Sequence, residues 1–409
     1  RTKPEYEMST TPRGERSIIA LVGRRNAGKS SLINAIVGQE IAIVSEIPGT
    51  TTDPVDKHYE LLPLGPVTFY DTAGVDDKGE LGDKRVASTR KILYRADIVL
   101  FVNDGSDFDK HEIDLLQRIE EMQIPTLMVF NKSDTRTAAT SNLDYCLAHK
   151  IDYCIVSAKN NDGIREAKEK LIRLAPKYLN EDRVILGDML KGKSRVILVC
   201  PIDSAAPKGR LILPQVQAIR DILDHDAIAI VVKETELKDA LAMLSDPADM
   251  VITDSQAIAQ VNQETPEHIE LTTFSVLFAR YKGELDLLLS GIQAIDKLKD
   301  NDRVLIAEAC SHHVQEDDIG RVKLPRWLRE YTGKELEFDT FAGHDFPENL
   351  EDYAVCIHCG GCMINAMEMN RRILECHRRG VPITNYGLTI TKVHGAFDRA
   401  IAPLMRVKK

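Results

Sequence analysis

Three things are missing from this chain, and each absence excludes something. No apolar run approaches the ~18 residues needed to cross a bilayer, and the first sixteen residues are polar, without the apolar core of a signal peptide. An excess of positive charge is missing too: 53 Lys and Arg stand against 63 Asp and Glu, a formal net charge of −10. Phosphate surfaces draw their affinity from clustered cations, so this balance argues against a nucleic-acid or an anionic-membrane surface. The expectation is a cytoplasmic protein, with Arg1 in place of Met read as a processed or trimmed end. At 409 residues and 43% hydrophobic content, two or three ordinary globular domains are expected. Eight cysteines, one pair of them in a C-x-x-C, point in a reducing compartment to metal ligation more than to disulfides.

What is present begins at Gly23-Arg24-Arg25-Asn26-Ala27-Gly28-Lys29-Ser30, a G-x-x-x-x-G-K-S sequence between the apolar run Ile18 to Val22 and a helical pattern from Ser31 to Val37. Glycines let the backbone curl so that N–H groups, here those of Gly23 to Ser31, point at a phosphate chain. Lys29 reaches the outer phosphates, and Ser30 offers a hydroxyl to Mg²⁺. An isolated match could be a chance strand-to-helix turn, but three further motifs follow in order. Asp71-Thr72-Ala73-Gly74 comes after the strand Val67 to Tyr70; Asp71 is placed to hold Mg²⁺ through water, and the Gly74 N–H to meet the γ-phosphate. Asn131-Lys132-Ser133-Asp134 follows the strand Thr126 to Phe130. Asp134 can accept hydrogen bonds from the N1 and N2 donors of guanine, which adenine lacks, and so selects GTP over ATP. Ser157-Ala158-Lys159 completes the base pocket. Between the first two motifs, Pro48 to Asp53 reads as a switch loop, with Thr51 the second hydroxyl on Mg²⁺, engaged while the γ-phosphate is present. Lys29, Thr51 and Gly74 are the expected catalytic set.

The expected fold class is α/β: a P-loop GTPase domain followed by two smaller α/β domains with largely parallel sheets. The boundaries read as a flexible lead-in over 1–16, a G domain over 17–176, an interaction or dimerisation domain over 177–270 beginning with a charged linker, and a metal domain over 271–409. The second domain alternates strands and helices without recognisable chemistry, and Ser255 is its expected helix cap. The third is expected to open with one long helix, Phe274 to Leu289, and then a strand, Arg303 to Ala309, that delivers Cys310-Ser311-His312-His313. A second strand, Tyr353 to Ile357, delivers His358-Cys359-Gly360-Gly361-Cys362, followed by a helix from Met363 to Arg379. In a parallel sheet all strand carboxyl ends share one edge, so these distant residues can converge there. The helix N-terminus should favour thiolate at Cys359 and Cys362.

Cys310, Cys359 and Cys362 provide three soft ligands, and Gly360-Gly361 leaves room for an inorganic cluster. An iron–sulfur cluster with one iron left open, or held by a weaker ligand such as His312, His358 or a carboxylate, stands near parity with a closed Cys₃His zinc site with His312 or His358 as fourth ligand. Cys146, Cys154, Cys200, Cys356 and Cys376 read as buried and unligated, His344 and His377 as surface or core residues, and Met363, Met367 and Met369 as helix core.

Two resemblances rest on these motifs. The G domain resembles the TrmE–Era–EngA group of GTPases. That resemblance implies a K⁺ ion held by the phosphate-loop Asn26, a Gly-Thr-Thr switch at Gly49-Thr50-Thr51, and Val75 where other GTPases place a water-positioning Gln. Turnover by such a site is expected to be slow, roughly 10⁻⁴ to 10⁻² s⁻¹. The usual occupation of that group, RNA or ribosome assembly, is disfavoured here by the acidity. Over the whole chain, the order GTPase, siteless α/β domain, Cys-x-His and His-Cys-x-x-Cys resembles the HydF family of [FeFe]-hydrogenase maturation. That resemblance implies a [4Fe–4S] cluster on Cys310, Cys359 and Cys362 with an exchangeable fourth position. It further implies a homodimer that receives a di-iron precursor from the radical-SAM maturases HydE and HydG and passes it to the apo-hydrogenase. A zinc-stabilised metallochaperone GTPase is the other reading.

Overall fold

The computed structural model describes residues 16–38, 55–61, 64–71, 89, 91–175, 184–202, 211–309, 318–342, 346–347, 349–361 and 364–407. They fall into two compact units, Arg1–Asp182 and Arg183–Lys409.

In the first unit a six-stranded sheet runs in the order β2-β3-β1-β4-β5-β6. The strands are β1 (Ser17–Val22), β2 (Val55–Leu61), β3 (Gly65–Asp71), β4 (Ile98–Asn103), β5 (Thr126–Phe130) and β6 (Asp152–Ile155). Only β2 is antiparallel, folding back along β3 from Val55 opposite Asp71 to Leu61 opposite Gly65. All six residues of β1, Ser-Ile-Ile-Ala-Leu-Val, are buried, because helices cover both faces. Ile19 and Leu21 face one core with Leu32, Phe69, Leu100 and Leu171, whereas Ile18, Ala20 and Val22 face another with Phe101, Leu116 and Phe130. Burying each of these large side chains stabilises the unit by ~1.5–3 kcal/mol. Helix α1 (Lys29–Val37) starts two residues earlier than its apolar pattern suggested. Helix α2 (Lys110–Glu121) is held at its start by a reciprocal cap between Asp109 and Glu112. Helices α3 (Thr140–Ala148) and α4 (Ile164–Leu174) complete the layers. The segment 39–54 with Thr51, and 72–75 with Gly74, lie outside the described residues.

The second unit contains two four-stranded, wholly parallel sheets. The first, β10-β9-β7-β8, is made of β7 (Arg195–Val199), β8 (Ile228–Val232), β9 (Met250–Thr253) and β10 (Glu270–Thr273). Helices α5 (Leu213–Asp224), α6 (Leu237–Met243) and α7 (Ile258–Glu264) alternate with its strands. The expected cut at 270/271 falls inside β10, so this domain reaches further along the chain. Ser255 does not cap a helix by its side chain. It sits in a short turn of helix, and its Oγ lies 2.5 Å from that of Ser275.

The long helix expected over 274–289 is two helices, α8 (Phe274–Lys282) and α9 (Leu285–Ile292). The break is at Gly283, where a Cβ would lie 3.0 Å from Ala279 O and 3.1 Å from Ile373 Cδ1. The second sheet, β12-β11-β13-β14, is built from β11 (Arg303–Ala307), β12 (Glu337–Phe341), β13 (Val355–His358) and β14 (Ile383–Asn385). Around it lie α10 (Leu324–Thr332), α11 (Ala366–Arg378), α12 (Tyr386–Val393) and α13 (Phe397–Val407). One hydrophobic core runs from Ile185 to Leu404 through both sheets, and Thr272 of β10 bonds the carbonyl of Ala400 in α13 at 2.8 Å. No helix among the described residues is long and apolar enough to cross a membrane.

Candidate functional site

The first site lies at the carboxyl edge of the six-stranded sheet. Gly23 has φ +141° and touches β4 so closely that a Cβ would meet Val102 O at 2.0 Å; Gly28 has φ +91°, and a Cβ there would lie 2.3 Å from Asn131 Nδ2. Neither position tolerates a side chain, and Asn26 between them is also left-handed, at φ 62°. Lys29 is buried, its Nζ donating to the carbonyls of Gly23 (2.9 Å) and Arg24 (2.8 Å), so the loop is curled around its own ammonium. Ser30 Oγ donates to Asp71 Oδ2 at 2.5 Å, which brings together the two described residues expected to arrange Mg²⁺.

Asn131 joins the motifs. Its Nδ2 donates to the carbonyls of Ala27 (3.1 Å) and Gly28 (3.4 Å), and its Oδ1 accepts from the Ala158 N–H at 3.0 Å. Asp134 Oδ1 accepts from Ser157 Oγ at 2.8 Å, which orients the carboxylate. Gly28, Ser31, Asn131, Asp134, Ala158 and Lys159 all line one cavity of about 1040 Å³, also bordered by Lys132 and large enough for a nucleotide. One residue here was missed from sequence. Arg24 leaves the phosphate loop to bond Ser106 Oγ (3.0 Å), the carbonyl of Asp107 (2.6 Å) and Glu112 Oε2 (2.5 Å). Glu112 is fully buried, and burial pushes its carboxyl above the usual range despite the Arg24 guanidinium. A generic arginine at a variable loop position carries no signal of that role.

The second site lies at the carboxyl edge of the last sheet. β11 and β13 are neighbours, with Ala307 opposite His358, and the Cys359 N–H donates to Ala307 O at 2.8 Å. The next contact along is the informative one: the Ala309 N–H donates to Cys359 Sγ at 3.1 Å. Cys310 follows Ala309 and Cys362 follows Gly361, but Cys310, His312, His313, His344, Cys362 and Met363 lie outside the described residues. Among the described residues no group of three His, Cys, Asp or Glu side chains could hold a metal. The fit of an iron–sulfur group therefore rests on Cys359. Its thiol is half-buried and accepts a backbone N–H, Gly361 is left-handed at φ +63°, and among the described residues nothing lies within 4 Å of where a Cβ at Gly360 would be. A soft sulfur that accepts an amide N–H on a glycine-containing loop suits a cluster with bridging sulfides.

Two expectations need correction here. His358 is unsuited to be a ligand: it is fully buried, its Nδ1 bonds the Cys359 carbonyl at 2.7 Å, and its Nε2 faces the Arg372 guanidinium at 3.0 Å. Arg372 can only donate, so Nε2 accepts and both ring nitrogens are used. Burial and that guanidinium pull the imidazole down to about 3. The helix after the C-x-x-C starts at Ala366, not Met363, and Asn365 Oδ1 already accepts from Glu368 N at 2.9 Å. The positive helix end is thus capped by its own asparagine, and the amide that serves Cys359 is that of Ala309, two residues past the end of β11. Met369 is buried and Met367 half-buried in α11, His377 is exposed, and Cys146, Cys154, Cys200, Cys356 and Cys376 are buried free thiols. Burial raises Cys146 to about 11 and Cys154 and Cys200 to about 12.

Fold and sites together define a P-loop GTPase domain carried on a chain with two further parallel-sheet α/β domains. Residues 18–132 match the family model described as 50S ribosome-binding GTPase, 185–283 the hydrogen maturase F dimerization domain, and 286–403 the hydrogen maturase F tetramerization domain. The two maturase models together cover more than half of the chain. The chain belongs to the hydrogen maturase F family.

Curated relatives match the G domain. The tRNA modification GTPase MnmE of Prochlorococcus marinus is 37% identical over 147 residues, 36% of this chain and 32% of that protein. GTPase Der of Kosmotoga olearia is 37% identical over 173 residues, 39% of each chain. The chain thus spans about a third of the length of the curated relatives it matches. Among solved structures, the G domain of the T. maritima FeoB iron transporter is 23% identical with a TM-score of 0.32, covering 39% of this chain and 99% of that one. Aquifex aeolicus Era bound to GDP·AlF₄⁻ is 18% identical with a TM-score of 0.33, covering 53% and 93%.

Proposed function

We propose that this chain is a GTP-binding and GTP-hydrolysing scaffold for assembly of the [FeFe]-hydrogenase di-iron cofactor, with a [4Fe–4S] cluster on Cys310, Cys359 and Cys362 and an exchangeable fourth position. The observation that carries the reading is the hydrogen bond from Ala309 N–H to Cys359 Sγ, which sets the residue before Cys310 against the thiol fifty positions on. A cluster bound there would supply an iron open to an exogenous ligand. The protein's own part is to hold three sulfurs at a strand edge beside glycine. His312 stays a candidate for the weak fourth position.

In the G domain, Lys29 neutralises the phosphates, Ser30, Thr51 and Asp71 arrange Mg²⁺, the Gly74 N–H meets the γ-phosphate, and Asp134 reads guanine. Asn26 holds K⁺, which stands in for part of an arginine finger, so hydrolysis is slow and K⁺-stimulated. The nucleotide acts through Thr51 and the 45–53 loop to regulate contact with the maturases HydE and HydG and with the apo-hydrogenase. The chain acts as a homodimer: β8 is an edge strand of its sheet with Ile228 and Val231 exposed, a surface suited to a second copy. The domains then divide as lead-in, GTPase, dimerisation and cluster-binding.

The deciding experiment is anaerobic purification with iron, sulfide and zinc analysis. A brown protein with near-stoichiometric sulfide that loses its colour in Cys359→Ser supports the reading; a colourless protein with one zinc replaces it with a metallochaperone GTPase. Equal affinity for the maturases with GTP, GDP and neither would end the gating role.

A further inference from the structure

Between the end of β4 and the first turn of α2 stand four carboxylates, Asp104, Asp107, Asp109 and Glu112. Such a cluster is a poor neighbour for a loop that must hold a phosphate chain, because like charges repel. Arg24 of that loop meets it. Its Nη1 donates to Ser106 Oγ (3.0 Å), its Nη2 to Asp107 O (2.6 Å) and Glu112 Oε2 (2.5 Å), and its Nε lies 3.1 Å from Asp109 Oδ2 in an ion pair. Ser106 Oγ in turn donates to Asp104 Oδ1 at 2.5 Å, so one guanidinium gathers the whole turn.

These contacts belong to a closed ring. Glu112 Oε1 accepts from Asn103 Nδ2 at 3.2 Å, the Asn103 carbonyl accepts from the Asn131 N–H at 2.8 Å, and Asn131 Nδ2 returns to the phosphate loop at Ala27 O. The loop is thus gripped at two points, Arg24 and Ala27, through Glu112, Asn103 and Asn131, none more than 3% exposed. The main chain of Arg24 completes the arrangement, since its carbonyl accepts from Lys29 Nζ at 2.8 Å. The residue types are specific. Lysine offers a point charge and could not reach Ser106, Asp107 and Glu112 together. Glutamine could not replace Glu112: Oε2 accepts from Arg24 and the Asp109 N–H, Oε1 from Asn103, and Asn103 cannot turn its amide without losing the Gly105 N–H on its Oδ1 at 2.7 Å.

We propose that Arg24 is a positioning residue of the nucleotide site: its guanidinium, held by Glu112 and the α2 cap, fixes the phosphate-loop backbone and the place from which Lys29 meets the phosphates. This rests on the GTP-hydrolysing reading above. Removing the guanidinium leaves Glu112 as a buried carboxylate without its counter-charge and frees one of the two grips on the loop. A phosphate cradle displaced by about 1 Å binds its ligand less tightly and holds the reacting groups out of line.

The test uses the full chain with Arg24→Met, Arg24→Lys and Glu112→Gln. Steady-state phosphate release from GTP gives kcat and KM, titration with a fluorescent GDP analogue gives Kd, and thermal unfolding gives the folded fraction. With hydrolysis slower than nucleotide release, KM reads affinity. In Arg24→Met, KM for GTP and Kd for the analogue should both rise roughly 10- to 100-fold, with a fall in kcat. Arg24→Lys should recover part of that loss, and Glu112→Gln should resemble Arg24→Met. A role in stability alone would lower kcat in proportion to the folded fraction and leave KM at the wild-type value, and that result in Arg24→Met overturns the proposal. Should the Met variant fail to fold, wild-type KM in both Arg24→Lys and Glu112→Gln overturns it equally, and a rise of several-fold in both supports it. A wild type that neither binds nor hydrolyses GTP overturns the GTPase reading and this inference together.

Discussion

Asn131 is the place to test whether the nucleotide site is one assembly or several loops that happen to be near. It is 3% exposed and makes two good hydrogen bonds, Nδ2 to Ala27 O at 3.1 Å and Oδ1 from Ala158 N–H at 3.0 Å, with a longer third contact to Gly28 O at 3.4 Å. Asn131→Ala removes both and leaves an amide and a carbonyl without their partner. Each such group costs about 1–3 kcal/mol when buried. The adjoining cavity admits water to part of the gap, so the lower half of the range applies, about 2–4 kcal/mol in all. Because these bonds are internal to the protein, the loss divides between unfolding free energy and nucleotide affinity, and only the sum is fixed. Denaturant unfolding of the isolated nucleotide-free protein and titration with a fluorescent GDP analogue measure the two parts. If the whole loss falls on binding, affinity drops roughly 30- to 700-fold at 1.4 kcal/mol per decade. GTP should still be preferred over XTP, since Asp134 is untouched. A combined loss below about 0.5 kcal/mol would refute the claim that Asn131 ties the phosphate loop to the base pocket.

Three other outcomes are expected. Asp134→Asn should lower GTP affinity by at least about 100-fold and raise that for XTP, whose C2 carbonyl can accept from the new amide; unchanged selectivity in competition binding would remove Asp134 from the base pocket. In native metal-free protein at pH 8, iodoacetamide with mass-spectrometric readout should label Cys359 well before Cys146, Cys154 and Cys200. Burial holds those three near 11 to 12, so they remain thiols until the pH exceeds that range. The same shift means the stability they contribute is complete below the unfolded value of about 9 and is lost as pH rises from there through 11 to 12. Val231→Lys, on the exposed edge of β8, should convert a dimer to a monomer in analytical ultracentrifugation while changing monomer stability by no more than about 0.5 kcal/mol.

The G domain was the most legible part because its chemistry is written in contiguous motifs, each following a strand of one sheet. Asp71, Asn131 and Ser157 needed only strand ends to be placed. β2 escaped notice because its sequence, Val-Asp-Lys-His-Tyr-Glu-Leu, alternates weakly and gains its strand character from pairing with β3. β14 is three residues long and β12 is an edge strand with no buried residue, and without them the last sheet could not be ordered from sequence. The break in the 274–289 helix was hidden because Gly283 is a tolerable residue in a helical pattern. The helix ends where Gly283 turns to extended backbone, at a position where a side chain would crowd Ala279 O and Ile373. His358 misled for a similar reason, since a histidine next to a C-x-x-C has ligand spacing whatever holds its ring, and Arg372 lies fourteen residues away on another element.

Lys282 shows the limit of such reading most sharply. From sequence, a lysine in the last turn of a helix is explained by the negative end of the helix dipole, and nothing asks for more. The packing changes that meaning, because α8 ends against α11 and the lysine has no solvent to reach; its Nζ donates to the carbonyls of Gly361 (3.1 Å) and Ile364 (3.3 Å). The dimerization-domain match ends at 283 and the tetramerization-domain match begins at 286, yet the core runs unbroken from Ile185 to Leu404. A boundary between sequence families is therefore not a boundary between moving bodies here. If the two domains share a core and a buried ammonium, a perturbation at the β8 edge that alters the packing of α8 has a direct structural route to the Cys359–Cys362 loop. The Val231→Lys protein tests this: a changed rate of Cys359 labelling by iodoacetamide at unchanged fold would show the route in use, and an identical rate would show that the loop is insulated from that edge.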